Sequence, residues 1–308
     1  MAAAAFVAAA LLGRACFPYL AFDPDSAAYL FEARLMAQGR IAAPAPPEFG
    51  FSPSPHIDIY GGLWFAKYPF GTSLMLVPGV LAGAPWLMPA LATGLTLLLF
   101  FGIVRALYDD RVAALALLLA VLSPTTLPIG ASLLSQPASR LCMAAFLWGL
   151  LRMLRAPPGR RRQLWAALAG LALGYGFDTR PLVAVVFGVL GAGLVIAVLA
   201  RRPDRAGFVR PAFWAAAPWL AMVGLHLAWN AALTGQPLLS TYHVLQHADR
   251  MGFGLRGEGY APFVRDFRLR FTPGYAFVRI WVHTLPCVLF NTLGWGAYDP
   301  AMLFPRDP

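Results

Sequence analysis

Apolar runs of about 20 residues recur along this chain, and each is long enough to cross a hydrocarbon core about 30 Å thick as a helix. A soluble core has no use for that repetition. The composition points the same way: of 308 residues, 59% are hydrophobic and 12% charged, against roughly 25% charged in an ordinary soluble domain. The expected fold class is an all-α polytopic membrane protein. Candidate spans run over 3–20, 86–107, 111–130, 133–154, 163–178, 181–200, 211–233 and 275–296, a bundle of about eight transmembrane helices.

The formal net charge is +10, which in a soluble protein would suggest nucleic acid. Here the arginines cluster between apolar runs, in RAPPGRRRQ at 155–163 and RRPDR at 201–205, as the positive-inside rule expects of cytoplasmic loops. No nucleic-acid partner is expected. Alternation then puts 23–67, 132–137, 178–181 and 234–272 on the outer side. Arg250, Arg256, Arg265, Arg268, Arg270 and Arg279 run against this rule, so the last stretch is either an outer anion site or a sign that the final span is misplaced. Cys16, Cys142 and Cys287 are odd in number, widely spaced and set in apolar sequence, and read as small core residues. The N-terminal run lacks the charged start and cleavage site of a signal peptide, and reads as a first helix.

The first outer loop, 22–68, opens with DPDSAAYLFEARLMAQGR, whose apolar residues between Ser26 and Gln38 fall at helical spacing. This is a helix along the membrane surface. Asp25 suits its N-cap, with Ser26 following. The proline-rich IAAPAPPEFGFSPSP cannot extend that helix and reads as irregular or polyproline chain. Phe70 to Gly83 is apolar but short and contains Pro78, which suits a re-entrant or interfacial helix.

The order of signals is one transmembrane helix, a large outer loop opening with acids, a juxtamembrane helix, a Lys-Tyr-Pro segment and then a helical bundle. It resembles the GT-C superfamily of membrane glycosyltransferases, closest to the branch of protein O-mannosyltransferases and lipid A aminoarabinose transferases. The resemblance covers a catalytic module at 1–233, with 234–308 adding an outer loop and a last helix. It implies a sugar donor on a polyprenyl phosphate, an acceptor glycan, lipid or protein, and a catalytic acid in the first outer loop. Relatives continue into further helices or a soluble domain, which leaves a minimal member, a fragment, or a chain that borrows a partner.

By that resemblance Asp25 matches the acid that receives or orients the acceptor hydroxyl proton, with Asp23 as its assistant or a solvated neighbour. Lys67, in FAKYPFGTSLMLVPG, matches a Lys-Pro-Pro segment and would meet the donor phosphate. The bland alternative is a lysine reaching for lipid headgroups. Arg180, in GYGFDTRP, matches a Thr-Arg-Pro turn and is a second phosphate ligand, or else the salt-bridge partner of Asp178. Arg140, two turns into the fourth span, is too costly in lipid without a polar cavity or partner, and is a third candidate for the donor pocket.

Relatives place a metal-binding acid before that fourth span, where this chain reads SLLSQPAS. That weakens the case for a divalent metal without removing it. His56 and Asp58 in PHIDIY, beside Tyr68, are acceptor-binding or accessory residues, and only two of them are metal-ligand types. His243 and His247 lack a third ligand. The function expected is an inverting glycosyltransferase in the cytoplasmic membrane, its site facing outward. The alternatives are a transporter or flippase of an amphipathic solute, although no internal repeat is present, and a non-catalytic scaffold.

Overall fold

The computed structural model describes residues 1–16, 23–46, 56–245, 254–256 and 269–285. Helix α1 spans Ala2–Cys16, and α2 spans Pro24–Ala37. Strands β1 (Ala43–Pro44), β2 (Ile57–Tyr60) and β3 (Leu63–Ala66) follow, then α3 (Gly71–Leu81) and α4 (Leu87–Leu107). Next come α5 (Asp110–Leu122), α6 (Thr126–Ala131), α7 (Ser135–Arg155), α8 (Arg160–Phe177), α9 (Pro181–Ala200) and α10 (Val209–Thr234). Among the described residues, three stretches, Leu87–Leu107, Pro181–Ala200 and Arg205–Thr234, are long and apolar enough to cross a membrane.

At the centre of the bundle α8 lies against both α7 and α10. Phe146, Leu150, Met153 and Leu154 of α7 interlock with Ala166 and Ala169 of α8. Gly170 lets α10 approach so closely that a Cβ there would meet the Ala215 carbonyl oxygen, the small-residue contact typical of helices packed in lipid. Helix α9 is the reverse of a soluble helix. It buries only Ala184 and Gly191, while Leu182, Val185, Val189 and Leu190 point outward, as a lipid-facing surface requires.

Most spans match their expected bounds, and the third does not. Residues 111–130 form two helices, because Pro124 forces Ser123 into extended backbone at φ −60° and ψ 127°. Thr126 Oγ1 then donates to Ala120 O at 2.6 Å across the break. The outer loop also carries a small sheet, of which only β1 falls within 41–55, the stretch expected to be irregular or polyproline chain. Strands β1, β3 and β2 form an antiparallel sheet, and Gly61 and Gly62, at φ 58° and 79°, make the tight turn between β2 and β3.

Cys142 is buried as expected but Cys16 is exposed, so it is not a core residue. Of the last expected span, the structure describes α12 (Pro273–Val278), after α11 (Thr241–Leu245), and a π-helical turn at Arg279–Thr284. Between α11 and α12, β4 (Gly254–Arg256) pairs with β5 (Leu269–Phe271). Residues 17–20, 47–55 and 286–296, with Arg250, Arg265, Arg268, His247 and Cys287, lie outside the described residues.

Candidate active site

Helix α2 is started by Asp23, not Asp25. Asp23 has extended backbone before Pro24, and its carboxylate accepts from Ser26 N at 2.8 Å and from Ser26 Oγ at 2.7 Å. That corrects the expected cap and leaves Asp25, in the first turn, to do something else. Its Oδ1 accepts the Tyr68 hydroxyl at 2.5 Å and lies 2.9 Å from His56 Nε2. Its Oδ2 has no hydrogen-bond partner among the described residues, and the side chain is 44% exposed. The bond to His56 holds the Asp25 carboxyl below its ordinary pKa, against partial burial, with Tyr68 and Lys67 acting the same way as His56.

The small sheet builds this contact. The register Ile57↔Ala66 sets His56 opposite Lys67, and Lys67 N donates to His56 O at 3.0 Å. Lys67 is 3% exposed, so it is not a lysine reaching for headgroups. Its Nζ lies 4.9 Å from the Tyr68 ring centroid and 4.7 Å from that of Tyr242. Thr241 Oγ1 donates to Lys67 O at 2.9 Å, so the start of α11 closes over the lysine. Asp58 lies on β2 and accepts from Ile59 N at 2.7 Å.

Tyr29, one turn after Asp25, stacks on Tyr68 with centroids 4.7 Å apart. Burial raises the pKa of both phenols, so each stays a neutral donor. Tyr29 interacts with the Ser135 side chain, and Arg180 Nη1 donates to Ser135 Oγ at 3.4 Å. A chain of contacts therefore joins Asp25 to Arg180 through two tyrosines and a serine. Arg180 is not paired with Asp178, as the alternative had it, because Asp178 Oδ1 sits 2.9 Å from His226 Nδ1. Asp178 is fully buried, and its carbonyl accepts from Gly71 N at 2.8 Å. A Cβ on Gly71 would strike that carbonyl.

Arg140 is exposed on α7, without a hydrogen bond or ion pair to any described residue. Among the described residues no three His, Cys, Asp or Glu side chains gather as a metal ion would need, Asp25 and His56 being two. Sequence reasoning missed Tyr29, Ser135, Tyr242 and His226. It also missed Glu32, fully buried on α2 near Ser73, whose carboxyl burial pushes up to about 8. Tyr242 had a signal in the LLSTY that follows the Gly235 helix stop, Tyr29 in DPDSAAYL and Ser135 in SLLSQPAS.

A family model described as dolichyl-phosphate-mannose-protein mannosyltransferase matches residues 70–229, just over half of the 308-residue chain. The match runs from α3 to α10, and so includes Ser135 and Arg180 but stops short of Asp25, His56 and Lys67. No curated protein and no solved structure matches the chain.

Proposed function

Because the chain belongs to the dolichyl-phosphate-mannose-protein mannosyltransferase family, and is thus a membrane glycosyltransferase of the GT-C type, we propose that it moves a sugar from a polyprenyl phosphate to an acceptor with inversion, Asp25 serving as base. The observation that supports this reading is the chain of contacts that links one carboxylate, beside Lys67, to Arg180 from a distant segment. Asp25 offers an open Oδ2, Lys67 adjoins it, and Arg180 has no acidic partner among the described residues. The family favours transfer over transport.

In the reaction the acceptor oxygen attacks the anomeric carbon as the bond to the donor phosphate breaks. The electron pair leaves on the phosphate, and the acceptor proton passes to Asp25. A single displacement inverts the carbon. A carboxylate with a lowered pKa is a weak base, so Asp25 works mainly by orienting the hydroxyl and taking its proton late. The larger electrostatic contribution comes from Lys67 and Arg180, which meet charge that grows only as the bond breaks. Asp23 supports this site by capping α2. Arg140 remains a candidate for the donor's lipid side, and His56, Asp58 and Tyr68 for the acceptor side. A divalent metal is not required by this scheme.

The site end is assigned to the outer side of a cytoplasmic membrane, on the strength of the arginine clusters at 155–162 and 201–205 at the other end. The test is Asp25→Asn in the full chain reconstituted in vesicles, with polyprenyl-phosphate mannose as the first donor. Transfer should fall by about 10²-fold or more while donor binding and helix content persist. Undiminished transfer would remove Asp25 from the mechanism.

A further inference from the structure

An apolar groove of about 550 Å³ runs between α4, α7 and α8, and Asp25 is not among the residues that line it. Its walls include Leu141, Ala145 and Trp148 of α7, and Trp165, Leu168 and Tyr175 of α8. From Trp165 to Tyr175 the helix rises about 15 Å, half the depth of a hydrocarbon core about 30 Å thick. The groove is as deep as one leaflet.

Its two ends differ. At one, Tyr175 donates its hydroxyl to Gly71 O at 2.7 Å and so ties the groove's rim to the segment behind Lys67. At the other, the Arg152 guanidinium lies 5.3 Å from the Trp148 ring and 5.2 Å from the Trp165 ring. Arg152 is exposed and has no carboxylate partner among the described residues. It stands about 25 Å along α7 from Ser135, on the face of the bundle opposite Arg180.

We infer that this groove holds an acyl chain of an anionic phospholipid whose phosphate is met by Arg152, in the leaflet away from the transfer site. Two indoles flank the guanidinium, which is exposed and makes no hydrogen bond to a described residue, and a phosphate suits its N–H donors. The apolar channel begins where the headgroup ends. A sugar donor with its phosphate at Arg180 would have to enter from the other end, where Tyr175 is tied to Gly71. The alternative, an arginine merely reaching for the interface beside aromatic neighbours, predicts no lipid selectivity.

The test uses the purified full chain in detergent, titrated with phosphatidylglycerol or phosphatidylcholine, with retained lipid counted by native mass spectrometry. The parent should retain phosphatidylglycerol preferentially. Arg152→Gln should lower that preference by about fivefold, the scale of one arginine at an anionic surface, and Arg152→Lys, which keeps the charge, should retain part of it. Ala145→Phe fills the groove and should reduce retention of both lipids with Arg152 intact. An unchanged preference in Arg152→Gln, or parental retention in Ala145→Phe, would overturn the assignment. So would displacement of phosphatidylglycerol from this groove by polyprenyl phosphate.

Discussion

Arg162, where α8 begins, is 3% exposed and directs its whole guanidinium at protein. Nε and Nη2 donate to Ala156 O at 3.1 and 2.9 Å, Nη1 donates to Gly207 O at 3.4 Å, and Phe208 lies beneath. Arg180, just beyond the other end of the same helix, makes one side-chain hydrogen bond among the described residues, to Ser135. The nearest carboxylate in sequence, Asp178, is turned toward His226. Arg162 spends its donors holding backbone together, whereas Arg180 leaves donors for something not covalently part of the chain. A guanidinium carries five N–H donors, so saturation is a usable measure of which role a buried arginine plays.

The sharpest way to break this comparison is to remove each charge in turn. Arg180→Gln should weaken polyprenyl-phosphate binding by about tenfold or more, the scale of one lost charge-assisted contact, with little change in melting temperature. Arg162→Gln should do the opposite: roughly 2 kcal/mol of stability lost, with donor affinity of the folded fraction unchanged. Titrating donor against both variants, alongside their thermal melts, gives the two readouts. If Arg162→Gln weakens donor binding at constant stability, saturation does not separate the roles.

The sequence carried the helices well, because an apolar run that must satisfy its own backbone in lipid has few other forms. Gly235 marked one stop at the residue where it occurs. The sequence singled out Lys67 and Arg180 through short phrases, but not what surrounds them. Asp178 meets His226 across 48 residues, and Arg180 reaches Ser135 across 45. No local pattern encodes such pairs. The hairpin was more nearly visible, since IDIYGGLWFA sets β-favouring residues on either side of two glycines. Asp23 and Asp25 were separable only by geometry, since either acid precedes apolar residues at helical spacing.

A second, smaller effect concerns Glu32, the one fully buried carboxylic acid on α2. The folded chain holds its proton to about pH 8, whereas an unfolded glutamate releases it near 4.5. Between those values the folded state binds more protons, so the stabilisation is complete below about 4.5 and is lost as pH rises toward 8. Thermal melts from pH 5 to 8 should therefore fall with pH in the parent and be flatter in Glu32→Gln. Parallel curves would mean that Glu32 is ionised within the fold, and that the site end contains a charge partner not yet identified.

The smallest effect belongs to Asp23, and it sets the comparison within a single turn of helix. Asp23 and Asp25 are two residues apart, yet the first binds its own helix through Ser26 and the second reaches to Tyr68 and His56 across the loop. Asp23→Ala removes a cap and should cost about 1 kcal/mol. Asn at the same position can still accept from Ser26 N, so Asp23→Asn should recover most of that loss. Neither change should alter the rate of transfer per folded molecule by more than about twofold, because the open oxygen belongs to Asp25. Activity normalised to the folded fraction separates the outcomes. If Asp23→Asn keeps stability but loses transfer as Asp25→Asn is expected to, the cap is also the base, and the division between structural and reactive charge fails at the place where it is drawn most finely.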